Sequence, residues 1–183
     1  MTQARVEPVQ PPYAEDIQAA FTRIMPPGVE PLKLFTSMAH NPRVLQRFFA
    51  GGLLDHGSIS LADRELLILR TTARCDAEYE WGVHAAFYTA KTGFSQAQLA
   101  DTCRATPDIE LWRPEQLALL ALADSLHDRS TVDDVLWGRL REHFSDEQLI
   151  ECLSLVGFYH TVSFLLNGLQ VQREEYAPRF PAR

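Results

Sequence analysis

The sequence predicts an all-α domain. No segment alternates apolar and polar residues with period two over a strand's length. Helix-capping signatures recur along the chain, and the apolar residues between them return at helical spacing. About nine helices follow from these signals. A short helix over 15–24 is stopped by Pro26-Pro27-Gly28. A second covers 31–39. Asn41-Pro42 is a cap followed by proline at the first helical position, and it opens a third helix to 50. Gly51-Gly52 ends that helix. Strong helices follow over 61–73 and 76–92, the latter closed by Gly93. Ser95-x-x-Gln98 is a capping box for the next helix. Pro114 opens a helix to about residue 127, and Thr131-x-x-Asp134 caps one over 132–144. A second capping box, Ser145-x-x-Gln148, opens a long apolar helix over 146–170.

Length and charge narrow the function classes. The chain has 183 residues, a single-domain length by the usual prior. Residues 1–13 carry Pro8, Pro11 and Pro12 without an apolar face and read as a flexible, extended N-terminal arm. Residues 14–183 form one domain. A domain of this size buries roughly 70% of its unfolded surface and needs no disulfide or metal to fold. There is no run of about 18 apolar residues, which excludes a membrane span. The start lacks a basic-then-apolar leader, so a cytoplasmic location is expected. Asp plus Glu number 24 against 17 Lys plus Arg, a net charge of −7. That balance argues against nucleic acid and anionic membranes as partners. The three cysteines, Cys75, Cys103 and Cys152, form no CxxC pair, so neither a disulfide framework nor a zinc knuckle follows.

The polar residues on apolar faces carry the chemistry. With about 100° per residue and Glu80 at zero, Val83, His84, Phe87 and Tyr88 fall within about 80° of it. Glu78, Gly82, Ala85 and Thr89 lie opposite, which gives Glu78 the solvent face. Glu80 and His84 share the apolar face one turn apart. In the preceding helix, Leu66-Leu67-Ile68-Leu69 is apolar nearly all round, and Glu65 shares a face with Ile68, Leu69 and Thr72. A carboxylate there is costly unless paired or neutral. The short link Arg74-Cys75 predicts antiparallel neighbours, so Glu65 faces the Glu80/His84 pair. Two carboxylates and an imidazole in a poorly hydrated cleft shift one another's pKa values, as proton-transfer chemistry at neutral pH requires. The plainer alternative is an arginine paired with Glu65 and a satisfied core histidine at 84.

The stretch Asp63-Arg64-Glu65-Leu66-Leu67-Ile68-Leu69-Arg70, followed by Glu78-Tyr79-Glu80-Trp81-Gly82-Val83-His84, resembles the carboxymuconolactone decarboxylase family, which also contains the alkyl hydroperoxidase D-like proteins. His40-Asn41-Pro42 is similar to a segment often found upstream in that family. The resemblance implies an all-α fold, a homo-oligomer and a site around Glu65 and His84. In the peroxidase branch a CxxC pair lies between that glutamate and that histidine. Here those places hold Ala77 and Glu80. A dithiol cycle needs both thiols, so Glu80 in the second thiol's place suggests acid–base work instead.

The expected function is therefore acid–base chemistry, decarboxylation or a related proton transfer, on a small carboxylated or carbonyl substrate. Glu65 and His84 form the acid/base pair, with Glu80 polarising His84 or serving as a second base. Tyr79, Trp81 and Tyr88 are candidate pocket residues, with core packing as the alternative for the first two. No cofactor is expected. A metal held by Glu65, Glu80 and His84 lacks HExxH spacing and a second convincing histidine. Two alternatives stay open. One is a thiol-dependent antioxidant protein using Cys75, placed just before a helix N-terminus where a dipole lowers a thiol pKa. The other is a non-catalytic oligomeric binding module. Cys103 and Cys152 read as core thiols, and His160, with Ser163 and Asn167 in line, as a structural residue. His127 and His143 lie near helix C-termini, His40 packs or caps, and His56 sits in a loop. On the last helix, Leu149, Leu153 and Val156 form one stripe and Leu155, Phe158 and Leu165 lie opposite, so a second subunit is expected to cover one side.

Overall fold

The computed structural model describes residues 4–181. Among them are nine α-helices, one 3₁₀ turn and no strand. The helices are α1 Glu15–Ile24, α2 Lys33–Met38, α3 Pro42–Gly51, α4 Leu61–Arg74, α5 Glu78–Thr92, α6 Gln96–Asp101, α7 Pro114–Arg129, α8 Asp134–Arg141 and α9 Asp146–Leu169. The caps account for most boundaries. Asn41, Ser60, Ser95 and Ser145 each accept a backbone N–H from the first turn of their helix, and both predicted capping boxes are closed. Gly93 takes the left-handed conformation that ends α5, at φ 73°. One cap differs from expectation: Asp133, not Thr131, accepts the Leu136 N–H, so α8 starts later than its apolar pattern suggests. The 3₁₀ turn Ile109–Leu111 carries no periodic pattern in the sequence and is a further element.

Helix α4 is the centre of the molecule. Every residue from Arg64 to Ala73 is buried, and α5, α7 and α9 pack around it. Its apolar residues Leu66, Leu67 and Ile68 are sealed in the core with Leu119, Leu122, Leu155 and Val162. Arg70, fully buried on this helix, is satisfied on all sides. It makes a bidentate pair with Asp124 at 2.7 Å on each arm and donates to the carbonyls of Thr102 and Arg104.

Helix α9 is long and apolar enough, by length and composition, to cross a membrane, with a mean hydropathy of 1.6. In this fold it is a core helix: Leu149, Cys152, Leu155, Val156, Tyr159, Val162 and Leu166 are buried in the domain. Both stripes meet the chain's own core, Leu149, Val156 and Leu155 buried and Leu153, Phe158 and Leu165 partly so. The face left exposed runs instead through Ile150 and Phe164.

Both ends of the described chain are held down. The N-terminal segment is non-helical, as expected, but it is not a free arm. Arg5 donates to the Leu169 and Gly168 carbonyls, Val9 donates to Thr36, and the Tyr13 ring sits edge-on to Phe21. The segment after α9 folds back over α5. There Ala177 is buried, Phe180 donates its N–H to Glu78 and its ring packs on Trp81. That segment reverses one expectation: the Glu78/Gly82/Ala85 face of α5 lies under the C-terminal tail rather than in solvent, and Gly82 and Ala85 are buried. Gly82 has to be glycine there, because a Cβ would collide with the Pro178 carbonyl.

Candidate active site

Antiparallel packing of α4 on α5 brings Glu65 against His84. The carboxylate oxygen Oε2 lies 2.6 Å from Nδ1 of the imidazole. At the other ring nitrogen, Nε2, stand the Tyr159 hydroxyl at 3.0 Å and Glu80 Oε1 at 3.4 Å. Glu65 is 1% exposed, His84 4% and Glu80 7%, so the cluster is dry. Arg64, which comes next to Glu65 on α4, donates from Nε and Nη2 to Glu65 Oε1 at 3.1 and 2.9 Å and from Nη1 to the Leu54 carbonyl. Both oxygens of Glu65 are thus taken. Glu80 differs, because its Oε2 is buried without a hydrogen-bond partner. An orphaned buried carboxylate oxygen costs about 1–3 kcal/mol and is a recognised mark of functional sites.

The electrostatics follow from this geometry. Burial alone would push the His84 imidazolium toward its neutral form. The adjacent Glu65 carboxylate, helped by Glu80, overcomes burial and raises the pKa from 6.5 to about 9. His84 is therefore a cation at neutral pH and donates from Nδ1 to Glu65. The Tyr159 phenol is held far above its ordinary value by burial and by the Glu80 and Glu65 carboxylates, so it stays protonated.

Tyr88, half-buried, forms the outer wall. Its ring stacks on His84 at 5.3 Å and 21°, with the Arg64 guanidinium 5.4 Å and the Lys91 ammonium 5.1 Å from its centroid. A cleft of about 400 Å³, lined by Leu54, His56, Ser60 and Glu151 among others, runs up to Arg64.

Tyr79 and Trp81 lie outside this cluster. The Tyr79 hydroxyl donates to Glu174 at 2.7 Å and accepts the Leu34 N–H, tying α5 to α2 and the tail. The Trp81 indole donates to Thr102. Both rings point away from the Glu80/His84 face, and Tyr79 lines a separate pocket with Asp76, Glu78, Arg173 and Arg179. Two residues that sequence reasoning passes over belong to the site. Arg64 stands in the motif without a role. Tyr159 is hidden in an apolar helix, where the signal is a buried phenol that must find a partner.

Cys75 is elsewhere and in a different electrostatic setting from the one expected. It caps the C-terminus of α4, and Asp76, at φ 55°, and Ala77 intervene before α5. The carbonyl end of a helix disfavours a thiolate, and burial pushes the Cys75 thiol up. Its contact is His127, at 3.6 Å, with His160 beyond. All three cysteines are free. A single metal ion cannot be shared by Glu65, Glu80 and His84, because the two carboxylates sit at opposite nitrogens of the ring.

No protein-family model and no functionally curated protein matches the chain by sequence. Solved structures match its fold closely. A peroxidase-related protein of Ralstonia eutropha JMP134 with an alkylhydroperoxidase AhpD core superposes with a TM-score of 0.78 at 20% identity, covering 93% of each chain. A peroxidase-related protein of Silicibacter sp. TM1040 gives 0.77 at 16% identity over 99% of this chain and 100% of that one. The debrominase Bmp8, as a variant in complex with 2,3,4-tribromopyrrole, gives 0.73 at 16% identity over 96% of this chain and 94% of that one. The chain has the alkyl hydroperoxidase D-like fold.

Proposed function

We propose that the protein is a cytoplasmic acid–base enzyme, decarboxylase-like, acting on a small carboxylated or carbonyl compound. The observation that supports this most directly is the unequal use of the two carboxylates. Glu65 is fully engaged by Arg64 and His84 and so positions the imidazolium. Glu80 keeps Oε2 free within the same dry cluster. In a proton transfer Glu80 accepts the proton that leaves a substrate C–H or O–H, His84 supplies the one that is added, and Glu80 then returns its proton to His84 across the 3.4 Å contact. In a decarboxylation the bond to the carboxyl carbon breaks and carbon dioxide leaves. The electron pair left on carbon, or on the enolate oxygen, takes the His84 proton, and His84 recovers one from solvent. A small molecule would approach past half-buried Tyr88 and Arg64, since the cleft ends on Arg64, the residue next to Glu65. Bmp8 with 2,3,4-tribromopyrrole is a case of this fold holding a small ring compound.

A thiol peroxidase is disfavoured by the missing thiols at 77 and 80 and by the raised pKa of Cys75. The test is incubation in deuterated water with a panel of β-keto acids and carboxylated lactones, followed by NMR. Loss of the carboxyl group or deuterium incorporation is expected for the wild type and not for His84→Gln. Equal incorporation by folded His84→Gln, or dithiol-driven peroxide reduction that disappears in Cys75→Ser, overturns the reading.

A further inference from the structure

A second cluster of chemistry-bearing side chains lies at the opposite end of α4. Three elements build it: Cys75 from the α4 C-cap, His127 from the last turn of α7 and His160 from the middle of α9. Cys75 Sγ is 3.6 Å from His127 Nδ1, and His127 Nδ1 is 3.3 Å from His160 Nε2. All three atoms lie within 4.8 Å of one another, and the three residues are half-buried.

Hydrogen bonds account for these contacts only in pairs, with Ser163 as a further partner of the Cys75 thiol. His160 Nδ1 lies 2.9 Å from the Val156 carbonyl, which can only accept, so Nδ1 carries the ring proton and Nε2 presents a lone pair. His127 Nδ1 has one proton or one lone pair, yet faces both that nitrogen and the Cys75 sulfur. A metal ion resolves the arrangement. Tetrahedral zinc, with bonds of ~2.3 Å to sulfur and ~2.05 Å to nitrogen, sets its sulfur and nitrogen ligands about 3.6 Å apart and two nitrogens about 3.3 Å apart. The Cys75–His127 and His127–His160 edges of the cluster have those lengths, and the Cys75–His160 edge lies within 4.8 Å.

We propose that Cys75, His127 and His160 form a three-ligand site for Zn²⁺, with the fourth position open to solvent. One thiolate with two imidazoles is a donor set that suits a borderline-soft divalent ion. The surroundings support the three ligands. The Val156 carbonyl fixes the His160 tautomer, as an outer acceptor does for a metal-bound histidine. Asn167 donates to the Cys75 carbonyl at 2.8 Å and holds the link in place. The neighbouring cation, Arg74, is already paired, with Asp124 at 3.4 Å and Asp128 at 2.5 Å.

The full chain, stripped with a chelator, is titrated with Co²⁺ as a spectroscopic stand-in and then with Zn²⁺. One equivalent should bind, with a near-ultraviolet thiolate-to-cobalt band and the intense visible bands of tetrahedral cobalt, both lost on addition of zinc. Cys75→Ser should abolish the thiolate band. His160→Gln should weaken binding by more than the ~10–100-fold that loss of an outer hydrogen-bond partner costs. Glu65→Gln should leave the spectrum unchanged. Independently of any variant, Zn²⁺ should protect Cys75 from alkylation, mapped by mass spectrometry with Cys103 as the comparison. Less than one equivalent, an unchanged band in folded Cys75→Ser, or equal alkylation of Cys75 with and without zinc overturns the site.

Discussion

Glu65 and Glu80 hold His84 from opposite sides of its ring, Glu65 at Nδ1 at 2.6 Å and Glu80 at Nε2 at 3.4 Å. With Arg64 on the far side of Glu65, two cationic side chains and two carboxylates alternate through a buried row. Such a row is costly to desolvate. Its members also fix one another's protonation, and that gives the cluster a pH signature.

The His84 pKa is raised from 6.5 to about 9, so the ring binds a proton more tightly in the folded chain than in the unfolded one. Its contribution to stability is complete below pH ~6.5 and is lost as pH rises through ~9, an effect of the order of 3 kcal/mol. Chemical unfolding of wild type and His84→Gln at pH 6 and at pH 9.5 should show a stability difference that shrinks at the higher pH. NMR titration of the imidazole should find a midpoint well above 7 that falls in Glu65→Gln. A ring that titrates near 6.5 in the wild type would contradict the ion-pair geometry.

The buried Arg70–Asp124 pair holds α4 to α7 and, through the Thr102 and Arg104 carbonyls, to the end of α6. Breaking such a pair from one side typically costs 3–5 kcal/mol. In Arg70→Met, Asp124 keeps Arg74 at 3.4 Å, so the loss should fall near ~3 kcal/mol. For a domain of this size that is a melting temperature lower by roughly 10 °C. Calorimetry checks it, and a drop of only a degree or two would mean that the pair is replaceable.

The C-terminal tail is pinned by Tyr79 and accommodated by Gly82. Tyr79→Phe removes a hydrogen bond to the Glu174 carboxylate, worth about 1.5–3 kcal/mol. Gly82→Ala sets a Cβ against the Pro178 carbonyl and should cost about 1–3 kcal/mol. Both variants should be cut faster after residue 170 in limited proteolysis. Unchanged cleavage in both would mean that the tail's other contacts suffice, the Lys33 and Glu78 hydrogen bonds and the rings of Tyr176 on Phe87 and Phe180 on Trp81.

These outcomes divide along what a single sequence can carry. The Glu80/His84 face of α5 and the central place of α4 are legible because helical periodicity puts polar residues where only apolar ones are expected. The short link after α4 then brings Glu65 opposite. The tail has no periodic pattern, so its cover over Glu78 and Gly82 is invisible in the sequence, as are the bonds that tie Tyr79 to Glu174 and Trp81 to Thr102. Cys75 is misplaced by a small boundary shift with a large physical effect: two further residues in the link turn the end of α4, not the start of α5, toward the thiol. His127 and His160 lie 33 residues apart and meet because α7 and α9 both pack on α4. Neither has a local signal.

The roles of the two carboxylates separate in turnover, once a substrate is in hand. Glu80→Gln removes the one site oxygen that is free to take a proton and should lower kcat by about 10²–10⁴-fold, the usual loss for an acid–base group. Glu65→Gln acts through His84. It removes the charge that keeps the ring protonated while leaving an amide able to hold the geometry. The high-pH limb of its rate profile should therefore move toward lower pH, with a smaller loss of kcat at pH 6 than at pH 8. The Glu80→Gln/His84→Gln double variant should lose little beyond the worse single variant if both groups serve one step. The measurements are kcat against pH for each folded variant. A Glu65→Gln profile that is merely scaled down at every pH would make Glu65 the proton carrier itself and leave Glu80 Oε2 without a role.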